Sequence, residues 1–207
     1  MALTQTQISQ LYVTLFGRAS EGAGNKFWQN SQSIEDAANK MLASEGAKAY
    51  FGNKLDSNEA FIKHIYQNTF GKLPHEDPDG IKFWKEALDK GAPKGYVVSE
   101  MLKAVTRAGN EKTEEGKFFN NKVALSNYTA EKIEGKTGIT PNEAAALTES
   151  IKKITSDPKS IDEAKSYVDS LIGNMADVPV PPKWNSKEET KYLKTAKIGR
   201  ASSRERV

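Results

Sequence analysis

The side chains with the clearest potential for catalysis are two histidines and one acidic turn. Histidine is the side chain that ordinarily titrates near neutral pH, and the chain of 207 residues has two of them, His64 and His75. It has no cysteine, which excludes thiolate nucleophiles and thiolate metal ligands. It also lacks a Gly-x-Ser-x-Gly sequence, the turn on which many hydrolases hold a nucleophilic serine. The composition therefore favours a binding or structural role over catalysis.

The acidic turn, residues 75–80 with the sequence His-Glu-Asp-Pro-Asp-Gly, is the only cluster of potential metal ligands in the sequence. Its second half resembles the start of a calcium loop. The next three residues, Ile-Lys-Phe, stand where such a loop needs further oxygen ligands. Asp, Pro and Gly also form turns, and we favour that interpretation. A metal site built on His75, Asp77 and Asp79 remains the alternative.

These residues belong to the second of two similar units. In both units residues at the spacing of one helix face precede a glycine, and the two sets lie 54 positions apart. They are Ile8, Leu11, Tyr12, Leu15, Phe16 and Gly17, then Ile62, Ile65, Tyr66, Thr69, Phe70 and Gly71, all apolar before the glycine except Thr69. A cation follows each glycine, Arg18 and Lys72, and a Lys-Phe-Trp triplet follows a short loop at residues 26–28 and 82–84. Residues 4–109 therefore predict two copies of a helix–Gly-loop–helix–helix unit.

The remainder of the chain up to residue 173 also has helical patterns. Thr140 precedes a proline and a glutamate three residues on, which predicts a capped helix start, and Ser160 predicts a second capping box of the same kind. No alternating β-branched runs with hairpin turns occur. We predict an all-α protein with a two-repeat domain at residues 1–109. Additional helices at 110–173 pack on it, and a proline-containing linker and tail occupy 174–207.

The net charge of +3 is unevenly distributed along the chain. Residues 183–207 contain eight Lys and Arg against three Glu, so that segment carries +5 and residues 1–182 carry −2. A slightly acidic body argues against nucleic acid as a partner. No stretch approaches the roughly 20 apolar residues that cross a bilayer, so membrane insertion is not expected either.

The last ten residues, Ile198 to Val207, resemble a translated sequencing adapter. The adapter's reading frame gives the same residues except for a cysteine at the position of Ser203. This resemblance implies metagenomic DNA and a reading frame that is cut off near Lys197. The segment is therefore excluded from fold reasoning, with a natural basic tail as the alternative.

The glycine-centred motif resembles a known helical family. Tyr12, the Leu-Phe-Gly-Arg sequence at 15–18 and the Phe-Trp pair that follows Gly24 resemble the start of the surface-array (S-layer) proteins of Campylobacter and relatives. They are also similar to a helical domain of unassigned function, related to phycobilisome linkers, found in type I secreted RTX proteins and adhesins. The chain shows the pattern twice, at residues 12–28 and 66–84, and the likeness runs to about Leu171, weakening after Gly109.

This resemblance implies a role outside the cell, at a bacterial surface. In the surface-array proteins the N-terminal segment anchors the lattice to lipopolysaccharide, and export uses type I secretion with an uncleaved C-terminal signal. The lack of an N-terminal signal peptide agrees with that route. Two features depart from the pattern. Asp-rich glycine nonapeptide repeats and a secretion signal are missing, as expected of a truncated frame, and Lys72 stands where the motif has Arg.

The candidate ligand-binding residues are four cations of the two motifs: Arg18, Lys26, Lys72 and Lys82. Arg18 and Lys72 follow helix C-termini, where the helix dipole favours a cation. A structural ion pair, with Glu21 in the first unit and Asp79 in the second, is the interpretation we favour. Contact with the phosphates of lipopolysaccharide is the alternative.

The two tryptophans of the triplets present a similar choice. Trp28 and Trp84 could stack on sugar rings or pack each loop onto the helices of its unit. Because they occupy equivalent positions in both units, and because buried aromatic rings contribute strongly to cores, we favour core packing.

The predicted function is a non-enzymatic attachment module that binds lipopolysaccharide or another surface glycan and needs no cofactor. It would be the N-terminal part of a truncated S-layer or secreted adhesin-like protein. Self-association through the repeats is one alternative. The alternative from another class is a small metal-assisted hydrolase from environmental DNA that uses His64, His75, Asp77 or Asp79.

Overall fold

The structure is a computed structural model that describes residues 2–133 and 139–175. Within these ranges every regular element is a helix and no β-strand occurs, which confirms the predicted all-α class. None of these helices combines the length and the apolar character needed to span a bilayer. Of the linker and tail predicted at residues 174–207, residues 174 and 175 belong instead to the last described helix. The residues from 176 onward, including Ile198 to Val207, lie outside the described residues.

Ten α-helices and two short 3-10 helices follow one another in the described ranges. The first unit contains α1 (Gln5–Phe16), α2 (Gly22–Trp28) and α3 (Ile34–Ala43). The next elements are α4 (Glu45–Phe51) and a 3-10 helix (Gly52–Leu55). The second unit contains α5 (Asn58–Phe70), α6 (Pro78–Asp89) and α7 (Lys94–Val105). Another 3-10 helix (Asn110–Lys112) leads to α8 (Glu114–Lys132), α9 (Pro141–Lys152) and α10 (Lys159–Met175).

The helices that open the two units, α1 and α5, begin and end in the same way. Thr4 and Ser57 are their N-caps, and each side chain accepts a hydrogen bond from a backbone N–H of the first turn. Gly17 (φ 57°) and Gly71 (φ 73°) end them in the left-handed conformation, and each glycine N–H donates to the carbonyl four residues earlier. A side chain would strain both positions, which explains the glycine of the motif.

One hydrophobic core extends through the described residues, from Leu3 to Val168. In it α1, α5 and α8 pack against one another, α3 packs along α7, and α10 packs on α8 and α9. The largest fully buried apolar side chains are Ile8, Leu11, Leu15, Met41, Phe61, Ile62, Ile65, Met101, Leu102, Phe119, Leu125 and Ile133. Burial of each such side chain contributes about 1.5–3 kcal/mol. Because α8 shares the core of both units, the boundary predicted between residues 109 and 110 stays a prediction.

The two capping boxes predicted after residue 139 have different outcomes. Thr140 caps α9 as predicted: its Oγ1 accepts from the Glu143 N–H at 3.2 Å, and the Glu143 carboxylate accepts from the Thr140 N–H at 2.7 Å. The box predicted at Ser160 is wrong, because α10 begins at Lys159 and Ser160 is already its second residue. Ser160 Oγ donates to the carbonyl of Asp157 at 2.6 Å instead.

Candidate functional site

Three polar side chains, Tyr12, Arg18 and Glu21, hold the loop between α1 and α2, and we call them the first tyrosine cluster. Glu21 is the N-cap residue of α2 and is only 1% exposed. Tyr12 Oη donates to Glu21 Oε1 at 3.4 Å, and Arg18 Nη1 donates to Glu21 Oε2 at 2.8 Å. The Arg18 guanidinium also lies 4.7 Å from the centre of the Tyr12 ring. The ion pair predicted with Glu21 is therefore confirmed, and it compensates a buried charge.

The corresponding side chains of the second unit, Tyr66, Lys72 and Asp77, form the second tyrosine cluster. Asp77 is the N-cap residue of α6, and Tyr66 Oη donates to Asp77 Oδ2 at 2.5 Å. Lys72 Nζ lies 3.9 Å from Asp77 Oδ2 and 3.0 Å from Glu115 Oε1 of α8. The predicted pairing of Lys72 with Asp79 is therefore wrong, because the carboxylate at the helix start belongs to Asp77.

Both clusters require the glycine that follows them. Gly24 and Gly80 are the third residues of α2 and α6. A Cβ atom at either position would overlap the phenol oxygen and the carboxylate of its own cluster. The Tyr…Gly spacing of the motif thus reflects a helix backbone that passes directly against a hydrogen-bonded tyrosine.

The electrostatics of the clusters favour a structural role. Burial, and next the nearby Glu21 charge, raises the pKa of Tyr12. Burial, and next the hydrogen bond to Asp77, raises the pKa of Tyr66. The same hydrogen bond, supported by the Gly80 N–H, lowers the pKa of Asp77. The phenols therefore remain protonated donors near neutral pH, and Asp77 remains an ionised acceptor.

The acidic turn serves as the start of a helix. Asp77 uses both carboxylate oxygens within the fold, because Oδ1 accepts from the Gly80 N–H at 2.9 Å and Oδ2 accepts from Tyr66. His75 and Asp79 are exposed on either side of it. Among the described residues no three His, Asp or Glu side chains converge as metal ligands would. The metal-site alternative therefore gains no support from the geometry of this turn.

His64 caps the end of α1. Its Nε2 lies 3.3 Å from the carbonyl oxygen of Leu15 and 3.1 Å from Tyr50 Oη, which itself donates to the Phe16 carbonyl at 2.8 Å. Burial is the main cause that lowers the pKa of His64 to about 4, so its imidazole is neutral at pH 7. His64, one of the two histidines of the hydrolase alternative, therefore serves as a structural group.

Lys122 of α8 plays a comparable role at the end of α5. Its Nζ donates to the Asn68 carbonyl oxygen at 3.0 Å and lies 3.8 Å from the centre of the Phe118 ring. Asn68 Nδ2 in turn donates to the Thr14 carbonyl of α1 at 3.1 Å. Both hydrogen bonds join residues 54 positions apart. Burial lowers the pKa of Lys122 to about 7.

The triplets place tryptophan inward and lysine outward. Trp28 and Trp84 are half-buried and pack against the hydrophobic core, as we favoured. Each stands edge-on to the preceding phenylalanine, with ring centres 4.8 Å apart in the first unit and 5.0 Å in the second. Lys26 and Lys82 are exposed. Of the four candidate cations, these two point to solvent, and Arg18 and Lys72 belong to the tyrosine clusters.

A groove of about 450 Å³ opens between α5 and α6, and we call it the lysine groove. Its lining comprises three lysines, one histidine, one carboxylate and a small apolar floor: Glu59, Lys63, Pro74, His75, Pro78, Ile81, Lys82 and Lys85. The lysines pair along their own helices: Lys63 with Glu59, Lys82 with Glu86 at 4.0 Å, and Lys85 with Asp89 at 2.5 Å. Exposed pairs of this kind are weak because water screens them, so a ligand anion can replace the carboxylates.

Sequence reasoning found two of the groove residues and missed two others. Lys82 and His75 were candidates, and the groove brings them together. Lys63 and Lys85 were missed, although Lys85 follows Lys82 at the three-residue spacing of one helix face. Lys63 lies on a separate helix, so no local pattern connects it with the other two.

One family model matches part of the chain. It is described as Domain of unknown function (DUF4214) and matches residues 38–107, about a third of the chain. The matched segment runs from the second half of α3 to just beyond α7, so it includes the second tyrosine cluster and the whole lining of the lysine groove. The comparisons with curated proteins and with solved structures give no match. The chain is similar to this family over that segment.

Proposed function

We propose that the chain is a non-enzymatic attachment module that holds lipopolysaccharide or another bacterial surface glycan outside the cell. It would be the N-terminal part of an S-layer or secreted adhesin-like protein. The observation that carries the proposal is the joint exposure of Lys82 and Phe83 on α6: 73% of the Lys82 side chain and 66% of Phe83 face solvent. An aromatic ring offers an apolar face to a sugar, and an ammonium group pairs with phosphate.

The distribution of titratable groups supports binding over catalysis. Catalytic sites concentrate groups with shifted pKa values in a cleft. Here the groups with the largest shifts, Tyr12, His64, Tyr66 and Lys122, are hydrogen-bonded within the fold. No observation on the described residues favours the metal-assisted hydrolase.

The test is retention of the full chain on bacterial cells that carry complete lipopolysaccharide, with cells that lack its outer sugars as the control. We expect retention on the former alone, and less of it at moderate salt because exposed charges are screened. Equal retention on both kinds of cell, or none at low salt, would contradict the proposal. Light scattering of the free chain across concentration separates surface binding from self-association.

A variant with Lys82→Gln and Phe83→Ala should lose most of the retention and unfold at the temperature of the wild type, because both side chains are exposed. The matched control carries Tyr96→Ala and Lys103→Gln on α7, where another aromatic ring and another lysine are exposed. Equal losses in the two variants would argue against a role for α6 in particular.

A further inference from the structure

The lysine groove occupies a face that is covered by a helix in the first unit. Its residues Glu59, Lys63, Ile81 and Lys85 correspond, at offsets of 54 or 56 positions, to Gln5, Ser9, Asn25 and Gln29. In the first unit these positions carry uncharged polar side chains, and in the second unit three of the four are charged. The two faces therefore differ in chemistry although they follow the same sequence pattern.

In the first unit, helix α8 closes this face. Gln5 Nε2 donates to the Asn127 carbonyl at 3.4 Å and to Glu131 Oε1 at 3.1 Å, both on α8. Asn25 Nδ2 donates to Ser9 Oγ at 3.3 Å, so these two side chains meet beneath α8. Ser9 and Asn25 are both fully buried.

The buried network beneath α8 continues through Ser20. Its Oγ accepts from Asn25 Nδ2 at 3.0 Å, and its N–H donates to Ser126 Oγ of α8 at 2.9 Å. Small polar side chains are therefore needed at this face because a helix lies on it. The long charged side chains of the second unit would not fit beneath a helix in the same way.

In the second unit the equivalent face is open among the described residues. Helix α8 contacts α5 at its C-terminal end, where Lys122 reaches Asn68. It therefore leaves the groove beside Lys63 uncovered. The lining carries three lysines against one glutamate, and the carboxylates that pair with Lys82 and Lys85, those of Glu86 and Asp89, lie outside it. An anion that enters the groove therefore competes only with exposed ion pairs, which are weak.

We infer that the lysine groove is a binding site for an anionic saccharide, a sugar that carries a phosphate or a carboxylate. This rests on the proposed attachment function and assigns it a location. Lys63 and Lys85 approach from two helices and can pair with one anionic group, as ammonium groups do with phosphate and carboxylate. Ile81, Pro74 and Pro78 supply an apolar floor for the sugar ring.

The test is a titration of the full chain, followed by NMR of backbone amides, with four probes: glucose 6-phosphate, glucuronate, glucose and inorganic phosphate. We expect shifts around the groove with at least one of the two anionic sugars, and much weaker binding of glucose and of phosphate alone. The anionic sugar that binds identifies the charged group. Binding of inorganic phosphate as tight as that of the sugars would overturn the saccharide assignment, and shifts elsewhere would overturn the location.

Variants provide the second arm of the test. Lys63→Gln, Lys82→Gln and Lys85→Gln together should weaken binding about tenfold or more, because each lost charge-assisted contact matters. The matched control removes three exposed lysines on other helices, Lys40→Gln, Lys48→Gln and Lys103→Gln, and should bind within about twofold of the wild type. Equal weakening in both variants would mean that net charge alone attracts the sugar, which overturns the inference.

The two proposals fail in distinguishable ways. If the wild type and a variant with only Lys63→Gln and Lys85→Gln are retained equally on cells, attachment stands and the groove assignment fails. If the groove binds the anionic sugar but the chain is not retained on cells, the groove assignment stands and the attachment function fails.

Discussion

Lys122 shows how a lysine can be buried in this fold without an ionic partner among residues 2–133 and 139–175. The residue is 7% exposed, and its amine donates to the carbonyl of Asn68 and lies against the ring of Phe118. Because burial lowers its pKa to about 7, the folded chain binds fewer protons than the unfolded chain between pH 7 and the ordinary range of lysine. The stability that depends on Lys122 must therefore rise with pH across that window.

We predict that Lys122→Met changes the pH dependence of stability. The free energy of unfolding of the wild type, minus that of the variant, should increase by about 2 kcal/mol or more between pH 6.5 and 9.5. Urea unfolding at several pH values measures the difference. Lys117→Met, at an exposed lysine of the same helix, is the control and should give curves parallel to the wild type. Parallel curves for Lys122→Met as well would contradict the buried amine.

Arg18 and Lys72 occupy the same position of the motif, but their burial differs. The Arg18 side chain is 16% exposed and faces the buried Glu21, while Lys72 is 36% exposed and pairs with Glu115 at the surface. Arg18→Gln should therefore lower the free energy of unfolding by about 3 kcal/mol, and Lys72→Gln by less than about 1 kcal/mol. Denaturant titration of both variants measures the two losses in free energy of unfolding. Equal losses would contradict the prediction and show that the two ion pairs contribute alike.

At the scale of elements, the tyrosine clusters explain why each unit needs its glycine. The helix start, the N-cap carboxylate and the phenol occupy one small volume, and the glycine backbone passes against them. Both clusters therefore position the second helix of their unit, and in the second unit that helix carries Lys82 and Phe83.

Gly24→Ala and Gly80→Ala should each destabilise the fold by about 1–3 kcal/mol, because a methyl group would overlap the cluster. Thermal unfolding measures both. Removing the phenol oxygen should relieve part of the overlap, so Tyr66→Phe in the Gly80→Ala background should cost less than in the wild type. Tyr12→Phe tests the same coupling with Gly24→Ala. Neutral glycine substitutions would contradict the close approach.

Helix ends could be predicted from the sequence where they depend on neighbouring residues. Gly17, Gly71 and Thr140 end or begin helices as their local chemistry indicates. The cap predicted at Ser160 is wrong because a serine hydroxyl can also donate a hydrogen bond to a carbonyl of the preceding turn. The Ser160 hydroxyl does so, to the carbonyl of Asp157. The predicted pairing of Lys72 with Asp79 is wrong because two aspartates, Asp77 and Asp79, lie near the helix start. Only the path of the loop decides which of them Lys72 approaches.

The candidate site was predicted in part for a related reason. Lys82 follows from the repeated triplet, and its exposure is consistent with its place beside an inward tryptophan. Lys63 and Lys85 join it only because α8 covers the first unit and leaves the second open. The difference between the two faces depends on packing between residues more than 100 positions apart, such as Gln5 and Glu131. Local sequence patterns cannot predict such packing.

At the scale of the whole molecule, α8 connects the parts. It shares the core of α1 and α5, covers the polar face of the first unit and supports α9 and α10. We therefore predict that the described residues unfold as one cooperative unit. The chain's third tryptophan, Trp184, lies outside the described residues, so a Trp184→Phe variant is used. Its urea transitions followed by the fluorescence of Trp28 and Trp84 should coincide with those followed by far-ultraviolet circular dichroism. A second transition in the dichroism alone would show that the helices after residue 110 unfold separately.

The central claim is that exposed cations of this fold recognise a surface glycan while the buried ones stabilise the structure. The most direct measurement is the equilibrium binding of the full chain to vesicles that contain lipopolysaccharide, compared with phosphatidylcholine vesicles, at about 50 mM and about 300 mM salt. Binding to the lipopolysaccharide vesicles alone, weaker at the higher salt because the charges are screened, is the predicted result. Absence of binding at the lower salt, or equal binding to both vesicles, would contradict the claim.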